Sequence, residues 1–187
     1  RSLSSAASDV YKRQIKSNVK KTDLQMLLRG KNLVGYKKYD DSVIDLFIKK
    51  SSENGINVFR IFDALNDINN IVYSIECVNK YGANSQGTIS YTTSPVHNEK
   101  YWLKLAKDIE DAGAKSLGIK DMAGLLKPKT AFNLIKKLKK NLKIPIHLHT
   151  HATTGLSDAT NFKAYEAGVD NIDTCLLYTS PSPRDPW

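Results

Sequence analysis

Residues 146–151 read Ile146-His147-Leu148-His149-Thr150-His151. Imidazoles alternate with apolar and β-branched residues, the period-2 pattern of a strand with two unlike faces. His147, His149 and His151 share one face; Ile146, Leu148 and Thr150 share the other. The stretch 85–92 repeats the arrangement, with Gln86, Thr88, Ser90 and Thr92 on one side and Gly87, Ile89 and Tyr91 on the other. An open sheet covered by helices on both sides wants apolar residues on both faces. One polar face per strand suits a barrel whose interior opens into an active site.

Outward from this stretch, strand candidates at 24–29, 57–62, 85–92, 115–120, 144–151 and 170–174 recur at the spacing of about 30 residues typical of βα units. The helices between them carry recognisable ends. Asp41-Ser42 opens one that Gly55 closes, and Asp67 opens one that Gly82 closes. A third spans about 98–112 and ends at Gly113; the fourth starts at Lys127-Pro128, with proline in its favoured first turn. The last, near 157–167, ends at Gly168. Strand after helix after strand implies a parallel sheet. The expected fold is α/β, an incomplete TIM (β/α)8 barrel with about six βα units, short of the eight that close such a barrel.

Bulk properties narrow the functional classes. The chain has 187 residues, 41% hydrophobic and 25% charged, with a net charge of +9. The excess lysines do not gather on one face, as a nucleic-acid patch would require. Lys136, Lys137, Lys139 and Lys140 flank Leu134, Ile135 and Leu138, the wet side of one amphipathic helix. No nucleic-acid partner is expected. Cys77 and Cys175 make no disulfide framework. No apolar run is long enough to span a bilayer, and a secretory signal pattern is absent. A cytoplasmic location, at most peripheral to a membrane complex, is the expectation.

Three groups of residues point to chemistry. His149 and His151, two apart, project from the same side at the C-terminal end of their strand, where barrel enzymes place their sites. Such a convergent pair suits zinc or another transition metal. His147 sits one step deeper and reads as structural. In Leu117-Gly118-Ile119-Lys120-Asp121, Lys120 takes the inward phase. Burial beside a metal favours its neutral amine, which can add carbon dioxide and become an anionic carbamate ligand; a lysine paired with a carboxylate is the equal alternative. Gln25 and Arg29 share a phase in Leu27-Leu28-Arg29-Gly30, followed by Gly35-Tyr36. An arginine at a barrel mouth can grip a carboxylate through two hydrogen bonds, although an ordinary ion pair uses the same residue. Asp63 either supports the metal ligands from behind or flanks the next helix.

The stretches LQMLLRGKNLVGY, NVFRIFDALND, GTISYTTSPVH, LGIKDMAGLL and IPIHLHTHATTGLSDAT cover nearly all of 24–174. Together they resemble the biotin-dependent carboxyltransferase domain of oxaloacetate decarboxylase α subunits, pyruvate carboxylases and transcarboxylases. The resemblance implies carboxyl transfer between oxaloacetate or pyruvate and biotin through a metal-stabilised enolpyruvate. It implies that His149, His151 and Lys120 bind a divalent metal, zinc before manganese or cobalt. It implies that Lys120 is the carbamylated ligand, and that Arg29 and Tyr36 lie by the substrate and biotin pocket, with Lys120 and Arg29 catalytic and Gln25 and Asp63 at most supporting. HATTG before LSDAT, with Ala152 where single-chain pyruvate carboxylases usually carry an acid, favours an oxaloacetate decarboxylase α subunit, with the separate B-subunit of two-subunit pyruvate carboxylases as the alternative. Biotin would arrive on a carboxyl carrier domain, and biotin carboxylase or membrane decarboxylase subunits and a homo-oligomer are the implied partners.

The resemblance also implies what is missing. Its aspartate metal ligand sits on a first strand not found here, and its proton-shuttling threonine lies beyond Thr174. The chain alone is therefore expected to lack activity and to bind metal poorly. The end strings SSAASDVYKRQ and CLLYTSPSPRD resemble translated sequencing-adaptor read-through. Residues 1–14 and 176–187 are accordingly expected to be non-native or disordered tails around a partial barrel at 15–175. An acyl-CoA lyase or homocitrate-type synthase on the same barrel is the rival enzyme, and an inactive fragment or basic nucleic-acid binder the rival of another class.

Overall fold

The structure, a computed structural model, describes residues 3–174, with side chains from Val10 onward. The elements in chain order are α1 (Leu3–Asn18), β1 (Gln25–Leu28), α2 (Asp41–Glu53), β2 (Val58–Phe62), α3 (Ile68–Lys80) and β3 (Asn84–Ser90). They continue with α4 (Glu99–Asp111), β4 (Ser116–Asp121), α5 (Pro128–Asn141), β5 (Ile146–Thr150), α6 (Ser157–Glu166) and β6 (Asn171–Ile172). The helix starts follow from sequence chemistry. The Asp67 side chain accepts from the Asn69 N–H at the head of α3, and Asn98 accepts from the Tyr101 N–H at the head of α4. Pro128 opens α5, where its missing N–H has no helical partner to lose.

All six strands are parallel and pair in sequence order, β1 through β6. This is the α/β, barrel-type arrangement expected, an open sheet with six of the eight strands of a closed barrel. Residues paired across parallel strands point to the same side, so the register defines two faces. The helix-facing rows are Leu28–Ile61–Gly87–Leu117–Ile146 and Ile89–Ile119–Leu148–Ile172. They pack against Ile44 and Ile48 of α2, Ile75 and Val78 of α3, Ile109 of α4 and Ile135 and Leu138 of α5, all buried. Each such fully buried aliphatic side chain contributes about 1.5–3 kcal/mol relative to exposure. Helix α4 lies so close that a β-carbon on Gly87 would stand 2.3 Å from Ile109 Cγ2.

The opposite rows are largely polar: Leu27–Arg60–Gln86–Ser116, then Phe62–Thr88–Gly118–His147–Asn171, then Ser90–Lys120–His149. Arg60, Gln86, Thr88, Ser90 and Lys120 are buried nonetheless, because neighbours within this concave face cover one another.

One element lies where the sequence reading left none. Helix α1 runs through 3–14, a stretch read as a tail because its apolar residues lack a helical period. No glycine or proline interrupts it, and it gains anchorage further on. Lys16 Nζ donates to Asn57 Oδ1 at 3.2 Å, and Lys12 lies over the Phe47 ring at 5.6 Å. Cys175 and the C-terminal tail 176–187 lie outside the described residues. Two lysines of α5 take part in ion pairs along the outer surface, Lys137 with Glu99 and Lys139 with Asp170 at 2.7 Å. Among the described residues no helix is long and apolar enough to cross a membrane.

Candidate active site

The C-terminal rim of the polar face brings Lys120 and His149 side by side, paired in register between β4 and β5. His151 follows one step above, and its Nε2 is 3.1 Å from His149 Nε2. Lys120 is only 9% exposed, with Nζ 4.4 Å from the centre of the Phe62 ring. The loops that carry these residues are tied together. Thr153 Oγ1 donates to the Ala123 carbonyl at 3.1 Å, and Thr154 Oγ1 to the Gly124 carbonyl at 2.7 Å. Gly124 has φ +66°, and a β-carbon there would meet both threonine hydroxyls at 2.9 Å and the His151 carbonyl at 3.0 Å. Only glycine suits that conformation and that space. Asp121, next to Lys120, has a structural role: its carboxylate accepts from Leu125 and Leu126 N–H at 2.9 and 2.8 Å.

Two residues that the sequence reading did not single out complete this cluster. Asp173, just past β6, accepts from His149 Nδ1 at 3.0 Å and pairs through the same oxygen with Arg60 Nη1 of β2. Arg60 also donates from Nε to Gln86 Oε1. Burial alone would raise the Asp173 carboxyl, but the hydrogen bonds and charges of His149 and Arg60 hold it well below the usual carboxylate range. Burial, reinforced by the Arg60 charge, pushes the His147 imidazole down; its Nε2 meets Asn171 Nδ2 at 3.1 Å. A signal for Arg60 was present: a charged residue in the middle of Phe59-Arg60-Ile61, in the inward phase. Asp173 lay inside the strand candidate 170–174, of which only Asn171–Ile172 pairs in the sheet, and so short a stretch gave no phase to single it out.

The other predicted residues gather at β1. A pocket of about 350 Å³ is lined by Arg29, Tyr36, Phe62, Asp63, Lys120 and Met122, among others. Arg29 leaves the end of β1 with its guanidinium 4.8 Å from the Tyr36 ring centre and Nη1 3.4 Å from the Gly35 carbonyl. Tyr36 is 90% exposed. Asp63 lines the pocket, but its carboxylate accepts from the Leu65 and Asp67 N–H groups and from Asn70 Nδ2. That is the helix-flanking role of the two left open by sequence. Gln25 starts β1 at the opposite end from Arg29 and does not line the pocket.

The donor set fits a metal ion in part. Two Nε2 atoms 3.1 Å apart can share one first-row divalent ion, whose bonds to histidine run about 2.0–2.1 Å. Among the described residues no group of three or more His, Cys, Asp or Glu converges. A third protein ligand for an ion held here would be Lys120 or a group outside the described residues.

Comparison with known proteins places this geometry. The family model described as HMGL-like matches residues 5–177. The chain is 48% identical over 177 residues to the pyruvate carboxylase B-subunit of Methanocaldococcus jannaschii, covering 92% of this chain and 31% of that protein. It is 50% identical over 162 residues to the methylmalonyl-CoA carboxyltransferase 5S subunit of Propionibacterium freudenreichii subsp. shermanii, covering 86% of this chain and 32% of that one. The structure superposes on the carboxyl transferase domain of Rhizobium etli pyruvate carboxylase, solved with pyruvate, with a TM-score of 0.87 and 40% identity over 89% of this chain and 29% of that chain. The chain thus spans about a third of the length of these relatives.

Proposed function

The chain belongs to the HMGL-like family, and we propose that the protein of which it forms part carries a carboxyl group between biotin and pyruvate, as pyruvate carboxylases do. The observation that carries this reading is the rim cluster itself: Lys120 beside His149 in register, and the two Nε2 atoms of His149 and His151 3.1 Å apart. The similarity to a pyruvate carboxylase B-subunit and to a carboxyltransferase supports it. The sequence signature around Ala152 put an oxaloacetate decarboxylase α subunit first. The named relatives favour the alternative, so carboxylation of pyruvate becomes the main reading and decarboxylation of oxaloacetate its reverse direction.

In this proposal His149 and His151 hold a divalent ion, zinc before manganese or cobalt, with Lys120 as carbamate beside them. The ion, when bound, would polarise the keto oxygen of pyruvate and stabilise its enolate. Arg29 would turn its guanidinium from the Gly35 carbonyl to the substrate carboxylate, which offers a stronger, charge-assisted acceptor. Tyr36 would stand against the biotin ring. The methyl carbon of pyruvate loses a proton and gains the carboxyl group; the ureido nitrogen of biotin loses that carboxyl and regains a proton. Biotin would be presented by a carrier domain or subunit, and the assembly would be a homo-oligomer. The adaptor origin of residues 1–14 and 176–187 is likewise a proposal, independent of α1, and resequencing the source gene tests it.

The test of function is release of pyruvate from oxaloacetate by the complete protein, with and without free biotin. Stimulation by biotin that disappears in His149→Ala is expected. No biotin dependence, or full activity in His149→Ala, would overturn the reading.

A further inference from the structure

We propose that Asp173, clamped by Arg60, is a positioning residue that presets His149 as a metal ligand by fixing its proton on Nδ1. Its purpose rests on the metal-site reading above; its test does not.

Arg60 and His149 share one carboxylate oxygen. Asp173 Oδ2 lies 3.0 Å from His149 Nδ1 and pairs with Arg60 Nη1. A carboxylate facing a guanidinium is ionised and can only accept hydrogen bonds. His149 Nδ1 must therefore be the donor, and a neutral imidazole protonated there has its lone pair on Nε2. That lone pair points toward His151, whose Nε2 is 3.1 Å away. Two lone pairs at that distance would repel, so His151 carries its proton on Nε2 and donates. The two histidines are opposite tautomers. His149 is ready to bind an ion; His151 must first exchange its Nε2 proton for one on Nδ1, through solvent.

The clamp is built from across the sheet. Arg60 stands on β2, while His149 and Asp173 belong to β5 and the end of β6. Arg60 is 5% exposed, and Gln86 Oε1 orients it from β3 by accepting from Nε. A carboxylate behind a histidine ligand is a general way to fix tautomer and ring direction. Here the carboxylate is itself held by a buried arginine that reaches over the polar face, so the ligand's orientation depends on the curvature of the whole sheet.

The test is a long-range proton–nitrogen NMR spectrum of the full chain labelled with 15N-histidine, without added metal. The chain has four histidines, and loss of one set of signals in His149→Gln assigns His149. The expected wild-type result is a His149 ring with protonated Nδ1 and bare Nε2, and a His151 ring with the reverse. In Asp173→Asn the amide can donate to Nδ1, so the two His149 nitrogen shifts should exchange or average. Arg60→Lys, which keeps a cation beside Asp173, should leave the wild-type pattern. A wild-type His149 with its proton on Nε2, or an unchanged His149 pattern in Asp173→Asn, would overturn the proposal. Neither outcome bears on carboxyl transfer, so failure here is distinct from failure of the functional reading.

Discussion

The rim above β4 and β5 and the rim above β1 meet where Lys120 lines the same pocket as Arg29, but they are built differently. At β4–β5 each strand is paired on both sides, the two loops are tied by Thr153 and Thr154, and Asp173 and Arg60 brace His149 from behind. At β1 the strand is an edge of the described sheet. Arg29 makes a long bond to the Gly35 carbonyl and lies against the ring of Tyr36, Leu33 takes a positive φ of +53°, and Tyr36 is 90% exposed. The half of the site proposed to hold the ion is thus set by strand pairing present in this chain. The half proposed to hold the substrate sits on an edge strand, which in a full barrel would gain a neighbour by strand closure.

If the two rims differ in this way, stability should show it most strongly. Ile119→Ala, in the buried centre of β4, should cost about 2–5 kcal/mol, whereas Met26→Ala, half-buried on edge strand β1, should cost under about 2 kcal/mol. Urea unfolding of the two variants measures both; equal losses would deny that the β1 side is the weaker half. Next, Asp173→Asn in the complete protein should lower metal affinity by about 10–100-fold, while Arg29→Ala should leave it unchanged and raise the KM for pyruvate. Metal titration followed by steady-state kinetics separates the two halves.

A more modest effect isolates the role of the tied loops on the β4–β5 side. Gly124→Ala must fit a β-carbon among two hydroxyls and a carbonyl at φ +66°, so it should destabilise the chain by about 1–3 kcal/mol. Gly155→Ala has a similar φ of +73° but open space, and only the backbone term of about 1 kcal/mol applies. Thermal or urea midpoints of the two variants give the difference.

Least in size is a pH dependence from the floor of the same rim. Burial and the Arg60 charge hold His147 below its ordinary value. On unfolding it regains that value, so the unfolded chain binds more protons, and stability falls as pH drops through about 6.5. His147→Gln should flatten that limb. Urea midpoints at about pH 7.5 and about pH 5.5 check it; an equal loss in both proteins would contradict the assignment.

The six strands were legible because their two faces differ so sharply. Leu117 and Ile119 against Lys120, or Leu148 against His149, leave only one register that buries the apolar set. Lys120, His149 and His151 could be placed on one face from phase alone. What phase could not show was the distance from β2 to β6 across the concave side, which brings Arg60 to Asp173. Asp63 drew attention instead, because it stands at the end of the same strand; its carboxylate accepts from Leu65, Asp67 and Asn70. Helix α1 was missed because its N-terminal residues are mostly small and polar, and among the described side chains Lys12 lies over the Phe47 ring and Lys16 packs against Gly55.

The proposed function depends on the rim of β4 and β5 being a metal site that serves carboxyl transfer. The decisive measurement is the metal content of the complete protein, purified without chelator. A stoichiometric divalent ion in the wild type, absent from the His149→Ala/His151→Ala double variant while the fold persists by circular dichroism, is the predicted result. A double variant that retains the ion in full would contradict it.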